Sequence, residues 1–241
     1  SLAQFMAVMG TSQSSIRNLG STLVELGNNF ATNEKSIVEM SQRLSGMGKQ
    51  TNMSEADVLG LAAAMSTVGI EAEAGGSAMT QVMTKMQNAV MSGGENLGKF
   101  AKAAGVSASE FANAFNNRPV EALGLVLKGL KNVKESGGNV NDVLASLGVT
   151  GIREADAMKR LSGALDGDSG LGKALEIANK GWKENTALTT EASIRYQTSA
   201  SKIQMAKNEI QKMAIEMGAQ LLPRLAEVLQ HSKPVVQTLG D

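Results

Sequence analysis

Seven residues, Gly167-Asp168-Ser169-Gly170-Leu171-Gly172-Lys173, carry the glycine and lysine spacing of a loop that wraps a phosphate chain, with Lys173 where the phosphate-binding ammonium belongs. Nucleotide chemistry also needs a hydroxyl just after that lysine to hold magnesium, and Ala174 stands there. The loop should follow a buried strand, whereas Arg153 to Leu165 reads as a helix, and no later apolar strand ends in a metal-binding aspartate. What remains is a Gly/Asp turn that opens a helix. Asp166 and Asp168 begin like a calcium loop, but Gly170 offers no third oxygen, Leu171 replaces the turn glycine, and Ile177 occupies the twelfth position. Glu71 and Glu73 are two apart, so on a helix they diverge, and no aromatic residues around them would shape a sugar pocket. They read as solvated charges in a first turn. The single histidine, His231, and the absence of cysteine exclude multi-histidine sites, thiolate metal sites and disulfides. No catalytic, cofactor-binding or metal-binding residue is assigned, and no enzyme is expected.

The elements that would position any chemistry are helices. Strand signals are nearly absent, with no alternating β-branched run and no Asn-Gly hairpin between apolar segments. The 241 residues hold 23 Lys plus Arg against 23 Asp plus Glu, so no overall field draws the chain to nucleic acid or to an anionic membrane. Aromatic residues are 3%, while Met reaches 14 and Gly 26, so helix interfaces must close on Ala, Met, Leu and Gly. No apolar run approaches the roughly 18 residues of a membrane span; Leu59 to Ile70 is broken by Gly60, Ser66, Thr67 and Gly69. No initiator Met opens the chain and no signal-peptide pattern follows, so a piece of a longer polypeptide is expected.

Several helix starts can be named. Ser54 can cap the next turn, with Asp57 three residues on and Met53 able to staple to Val58; the helix then runs to a stop at Gly69. Ser107 repeats the arrangement, with Glu110 at the capping-box position and Val106 against Phe111. Ile37, Met40 and Leu44 mark an amphipathic helix capped by Asn33 or Thr32. Pro119 suits a first helical position, followed by an apolar stripe of Val120, Leu123, Val126, Leu127 and Leu130. Asn139 starts a short helix closed by Gly148, and Ile152, Ala155, Met158 and Leu161 form the apolar side of another. Short, glycine-bounded helices joined by tight turns predict a compact helix cluster over residues 1–166.

Within that cluster the segment Gly69-Ile70-Glu71-Ala72-Glu73-Ala74-Gly75-Gly76-Ser77-Ala78 reads as a joint, with Gly69, Gly75 and Gly76 forming a flexible hinge ahead of the Met-rich helix Met79 to Val90. Met79, Met83 and Met86 are read either as core or as a partner surface that can re-pack. Ser54 to Gly69 and the helix after it could also form a helix-turn-helix, but Gln81, Lys85, Gln87 and Asn88 are a poor recognition set in a neutral domain, so no specific nucleic acid is expected.

Turn signals nearly vanish from Asp168 to Leu222, and the second region, 167–241, reads as a long helix that Gly181 could interrupt and Pro223 breaks. Run continuously, those about 55 residues would make a rod of roughly 80 Å. Thr189, Tyr196, Ile203, Ile210 and Met217 recur every seven residues, with Ala192, Ser199, Ala206 and Met213 between them. That is the seam of a coiled coil or of a helix hairpin, and Tyr196, Ile203, Ile210, Met213 and Met217 are the residues taken to carry self-association into a homo-oligomer. The expected fold class is therefore all-α, a compact cluster of short helices followed by a long C-terminal helix with a heptad seam.

From about Leu26 to about Pro223 the chain resembles the core region of the tail tape measure proteins of long-tailed bacteriophages. The joint at Gly69 to Ala78 carries the resemblance together with Thr32-Asn33-Glu34-Lys35-Ser36-Ile37 and Arg43-Leu44, the Ala-rich Leu59 to Val68, and Gly105-Val106-Ser107 with Glu110-Phe111. Leu147-Gly148-Val149-Thr150-Gly151-Ile152-Arg153-Glu154 with Leu161, and Asn185-Thr186-Ala187-Leu188 with Glu191-Ala192, complete it. The resemblance implies a mechanical protein of the virion: several copies extended in the tail tube lumen, in contact with tube and tip proteins, that set tube length during assembly in the host cytoplasm and leave ahead of DNA. Whole tape measures are longer and commonly add helical rods, apolar segments or a wall-hydrolase module. The resemblance covers the core region alone, so length measurement, membrane passage and wall cleavage are not assigned to these residues. The competing expectations are a helical fragment attached to a cell-wall hydrolase and a helical DNA-binding module.

Overall fold

The computed structural model describes residues 1–165, 167, 170–197, 202–213, 215–216 and 219, and among these there is no strand. The helices are α1 (Leu2–Met9), α2 (Ile16–Asn29) after a 3-10 turn (Gln13–Ser15), α3 (Glu34–Gln50), α4 (Glu55–Thr67), α5 (Ala72–Ser92) and α6 (Gly94–Ala104). They continue with α7 (Ala108–Asn117), α8 (Pro119–Glu135), α9 (Val140–Ser146), α10 (Ile152–Gly163), α11 (Leu171–Glu184) and α12 (Ala187–Gln197). Residues 202–213 are also helical. The chain divides into two units, Ser1–Thr189 and Thr190–Asp241.

Local chemistry explains most helix starts. The Ser54 hydroxyl accepts the Asp57 amide at 3.1 Å, and the Asn33 side chain accepts the Ser36 amide at 2.9 Å. At α7 the box is reciprocal: Ser107 Oγ accepts the Glu110 amide, and the Glu110 carboxylate accepts the Ser107 amide at 2.8 Å. That second bond sits on an exposed loop, and the Ser107 donors hold the Glu110 carboxyl below the usual carboxylate range. Pro119 occupies the first turn of α8, where its missing N–H costs nothing.

In the first unit α4 is the centre. Every residue from Ala56 to Met65 is buried, so the helix is apolar on nearly all sides, as an element enclosed by others must be. α3 and α11 pack against it, α5 and α1 pack on α3, and α2 lies against α11, α4 and α3. A second group forms beside this one, with α6 against α7 and α8, and α10 bridging α5 and α8. Phe100 of α6 and Phe111 of α7 stack at 5.8 Å between ring centres. Met79, Met83 and Met86 are fully buried in this core.

Four expectations change in the folded chain. The helix after Gly69 begins at Ala72, so Gly75 and Gly76 lie inside α5 and are buried. A methyl group at Gly75 would overlap the Ile70 side chain, and one at Gly76 would overlap Cβ of Arg43 on α3. These two glycines allow close approach between elements, while Gly69, at φ +72°, makes the turn that ends α4. The boundary falls near Thr189 and not at 167, because α11 buries Leu171, Ala174, Leu175 and Ala178 against its neighbours. Gly181 does not interrupt the late helix; it lies within α11, where a side chain would press on the α2 backbone at Thr22. The break comes at Asn185, in the left-handed region at φ 55°. Finally, Ile152 is 89% exposed and contributes nothing to the α10 apolar side, whose buried members include Met158 and Leu161.

Candidate functional site

Charge is buried in two places, and both join distant segments. Asp57 of α4 accepts from Arg118 Nη2 at 2.7 Å and Nε at 3.2 Å, a two-pronged contact, and from Asn179 Nδ2 of α11 at 3.1 Å. The hydrogen bonds that Arg118 donates to Asp57, and less so the one to Glu121 at 2.6 Å, raise the guanidinium further above its ordinary range. Lys85 of α5 meets the buried Glu154 of α10 at 2.6 Å. Among the described residues no buried side-chain nitrogen or oxygen lacks a partner, so these groups are already satisfied by one another and do not reach for a ligand.

The phosphate-loop spacing is not built as a phosphate cradle. α10, a helix, precedes it, Gly170 caps α11, and Lys173 pairs with Glu176 at 3.1 Å. Asp166, Asp168 and Ser169 lie outside the described residues, as do Met217, Pro223 and His231. Glu71 and Glu73 are exposed at the mouth of an open cleft of about 640 Å³, together with Glu39, Arg43, Ser36 and Ser66. Among the described residues no three His, Cys, Asp or Glu side chains are grouped to hold a metal ion, and no helix is long and apolar enough to cross a membrane.

The surface that stands out is in the second unit. Ile203, Ile210 and Met213 are 58%, 62% and 53% exposed on one helical segment. At 100° per residue these three fall within an arc of roughly 80°, which also contains the exposed Ala206. Tyr196 belongs to α12, and its side chain lies outside the described residues. Ile203, Ile210 and Met213, three of the five residues read as a seam, thus lie on one side of a segment whose described residues are exposed all round.

Residue reading missed a set of polar groups at the end of α11. Asn18 and Ser21 of α2 bond to Trp182 and Leu188, flanking the Asn185 break. The signal available was Asn185 itself, since asparagine accepts the left-handed region more readily than the other residues of that stretch. Nothing near it in sequence indicates which helix supplies the bonds.

The model of the phage-related minor tail protein family matches residues 1–147, which is more than half of the chain. No curated protein and no solved structure matches it at a significant level. With its helical architecture, and with a matched stretch running from α1 through α9, the chain belongs to the phage-related minor tail protein family.

Proposed function

We propose that the chain is the core region of a tape measure protein, a structural and non-catalytic part of the phage tail. The family match over residues 1–147 carries this reading. Several copies lie in the tube lumen during assembly, contact tube and tip proteins, and depart ahead of the DNA. The seam of Tyr196, Ile203, Ile210, Met213 and Met217 joins the copies, and the support for it is the exposed apolar face of residues 202–213.

The test is in the phage that carries the gene. In-frame removal of the segment is expected to abolish tails or to leave tubes of uncontrolled length under the electron microscope. In the parent phage the polypeptide is expected in purified tails before DNA release and not in emptied particles after it. Tails of unchanged number and length after the deletion, or a polypeptide retained after ejection, would count against the proposal.

A further inference from the structure

We infer that Asn185 and Thr186 form a two-state joint, latched by α2 in the broken form, at which α11 and α12 can join into one continuous helix. The inference does not depend on the tape measure reading. From Trp182 to Met217 the sequence contains no Gly and no Pro, so nothing in its composition demands a break there. Asn185 nonetheless adopts φ 55° and ψ 28°, a conformation that L-residues other than asparagine and aspartate rarely accept.

Breaking a helix leaves carbonyls at one end and amides at the other without partners. In a continuous helix the Trp182 carbonyl would accept the Thr186 amide, and the Leu188 amide would go to the Glu184 carbonyl. In the broken form α2 supplies a partner to one group of each pair. Asn18 Nδ2 donates to the Trp182 carbonyl at 2.7 Å, and the Leu188 amide donates to Ser21 Oγ at 3.4 Å. Ser21 also donates to Asn185 Oδ1 at 3.5 Å, a long contact, and is itself fully buried. The Asn185 amide closes back onto the Gly181 carbonyl at 3.1 Å. Leu188 rests on Gly20, where an added methyl would lie 3.0 Å from its Cδ2. Gly20, Ser21 and Asn18 therefore form a seat shaped for the broken form. Outside that seat both flanking segments keep their helical hydrogen bonds; joining them forms four backbone bonds, from the amides of residues 186–189 to the carbonyls of 182–185, in exchange for the three bonds to α2. The two states thus exchange nearly equal numbers of bonds, which is the condition for a bistable element.

The full chain tests this by nuclear magnetic resonance of Asn185 and Thr186, whose Cα and Cβ shifts separate left-handed from helical backbone. Spin labels at Glu176 and Ser193 add a distance, about 26 Å if 17 residues form one helix. Asn185→Ala removes the side chain that tolerates the left-handed region and is expected to raise the continuous fraction on the order of tenfold. Asn185→Gly should lower it. Ser21→Ala removes two of the three latch bonds, leaves Asn185 and Thr186 themselves unchanged and does not weaken α2, and is expected to shift the populations toward the continuous form as well. Non-helical shifts at both residues in Asn185→Ala and in Ser21→Ala, with Gly indistinguishable from Ala at 185, would overturn the inference. Should Asn185→Ala fail to fold, Ser21→Ala decides alone.

Discussion

The guanidinium of Arg118, at the junction of α7 and α8, closes on the carboxylate of Asp57 in α4 through two nitrogens, at 2.7 and 3.2 Å. Asp57 is 5% exposed as a side chain and Arg118 35%. Asp57 also sits three residues after the cap Ser54, which accepts its amide, so one residue serves a helix start and a tertiary clamp. Arg118→Ala is expected to leave that carboxylate with Asn179 as its remaining side-chain donor and to lower the unfolding free energy by about 2–3 kcal/mol, less than for a fully enclosed pair because Arg118 is partly in water. Arg118→Lys should recover part of this, since a point charge cannot supply the two-pronged contact. Denaturant titration followed by circular dichroism measures both; equal stability of Arg118→Ala and the parent would show the clamp to be dispensable.

Two helical glycines should respond to alanine with opposite signs. Gly98 in α6 has open space where a side chain would go, so Gly98→Ala is expected to stabilise by about 0.5–1 kcal/mol through helix propensity. Gly76 in α5 faces Cβ of Arg43, so the same change there forces α3 and α5 apart and should destabilise by about 1–3 kcal/mol in spite of propensity. Thermal melts of the two variants separate these outcomes. A stabilised Gly76→Ala would show that the packing of α3 on α5 does not require a bare residue at that position.

Acidification should weaken the start of α7. The Glu110 carboxyl lies below its ordinary value of 4.5, chiefly through the Ser107 side chain and secondly through the Ser107 amide, so its contribution to stability is complete above that value. It declines as the pH falls below 4.5 and is lost once the pH passes the lower folded value. Ser107→Ala is expected to cost about 1 kcal/mol at neutral pH and to move the Glu110 titration back toward the ordinary value. Side-chain carbonyl shifts of Glu110 followed against pH check the direction; an unchanged midpoint in Ser107→Ala would contradict the assigned cause.

Charge in the seam should dissociate copies without unfolding them. Ile203 and Ile210 are exposed in the single chain, so aspartate at both positions is expected to leave the melting of the first unit unchanged. If the seam is buried between copies, two charges there cost several kcal/mol and the mass seen by light scattering falls to that of one chain. A parent protein already monomeric at high concentration, or a variant of unchanged oligomeric mass, would remove the seam from the proposal.

What residues dictate over one or two helical turns could be read from the sequence. Ser54, Ser107, Asn33, Asn139 and Pro119 act on amides within three residues of themselves, so their spacing already specified where helices begin. The same holds for the all-helical class, since periodicity is a local property. It failed wherever the decisive atom belongs to another part of the fold. Gly75 and Gly76 looked like a hinge because glycine is permissive in isolation; only Ile70 and Arg43 packed against them reveal glycines kept small for contact. Ile152 fits an apolar period and yet points to solvent, because a period marks a face but not whether anything covers it. Asn185 could have continued a helix, and it is Asn18 and Ser21, more than 160 residues earlier, that accommodate the broken form. The sequence by itself determined the helical class and the starts of α3, α4, α7, α8 and α9, because those depend on bonds within a turn. Which helices touch, which glycines must stay bare and where the late helix breaks were decided by tertiary structure, because those depend on groups brought together only when the chain is packed.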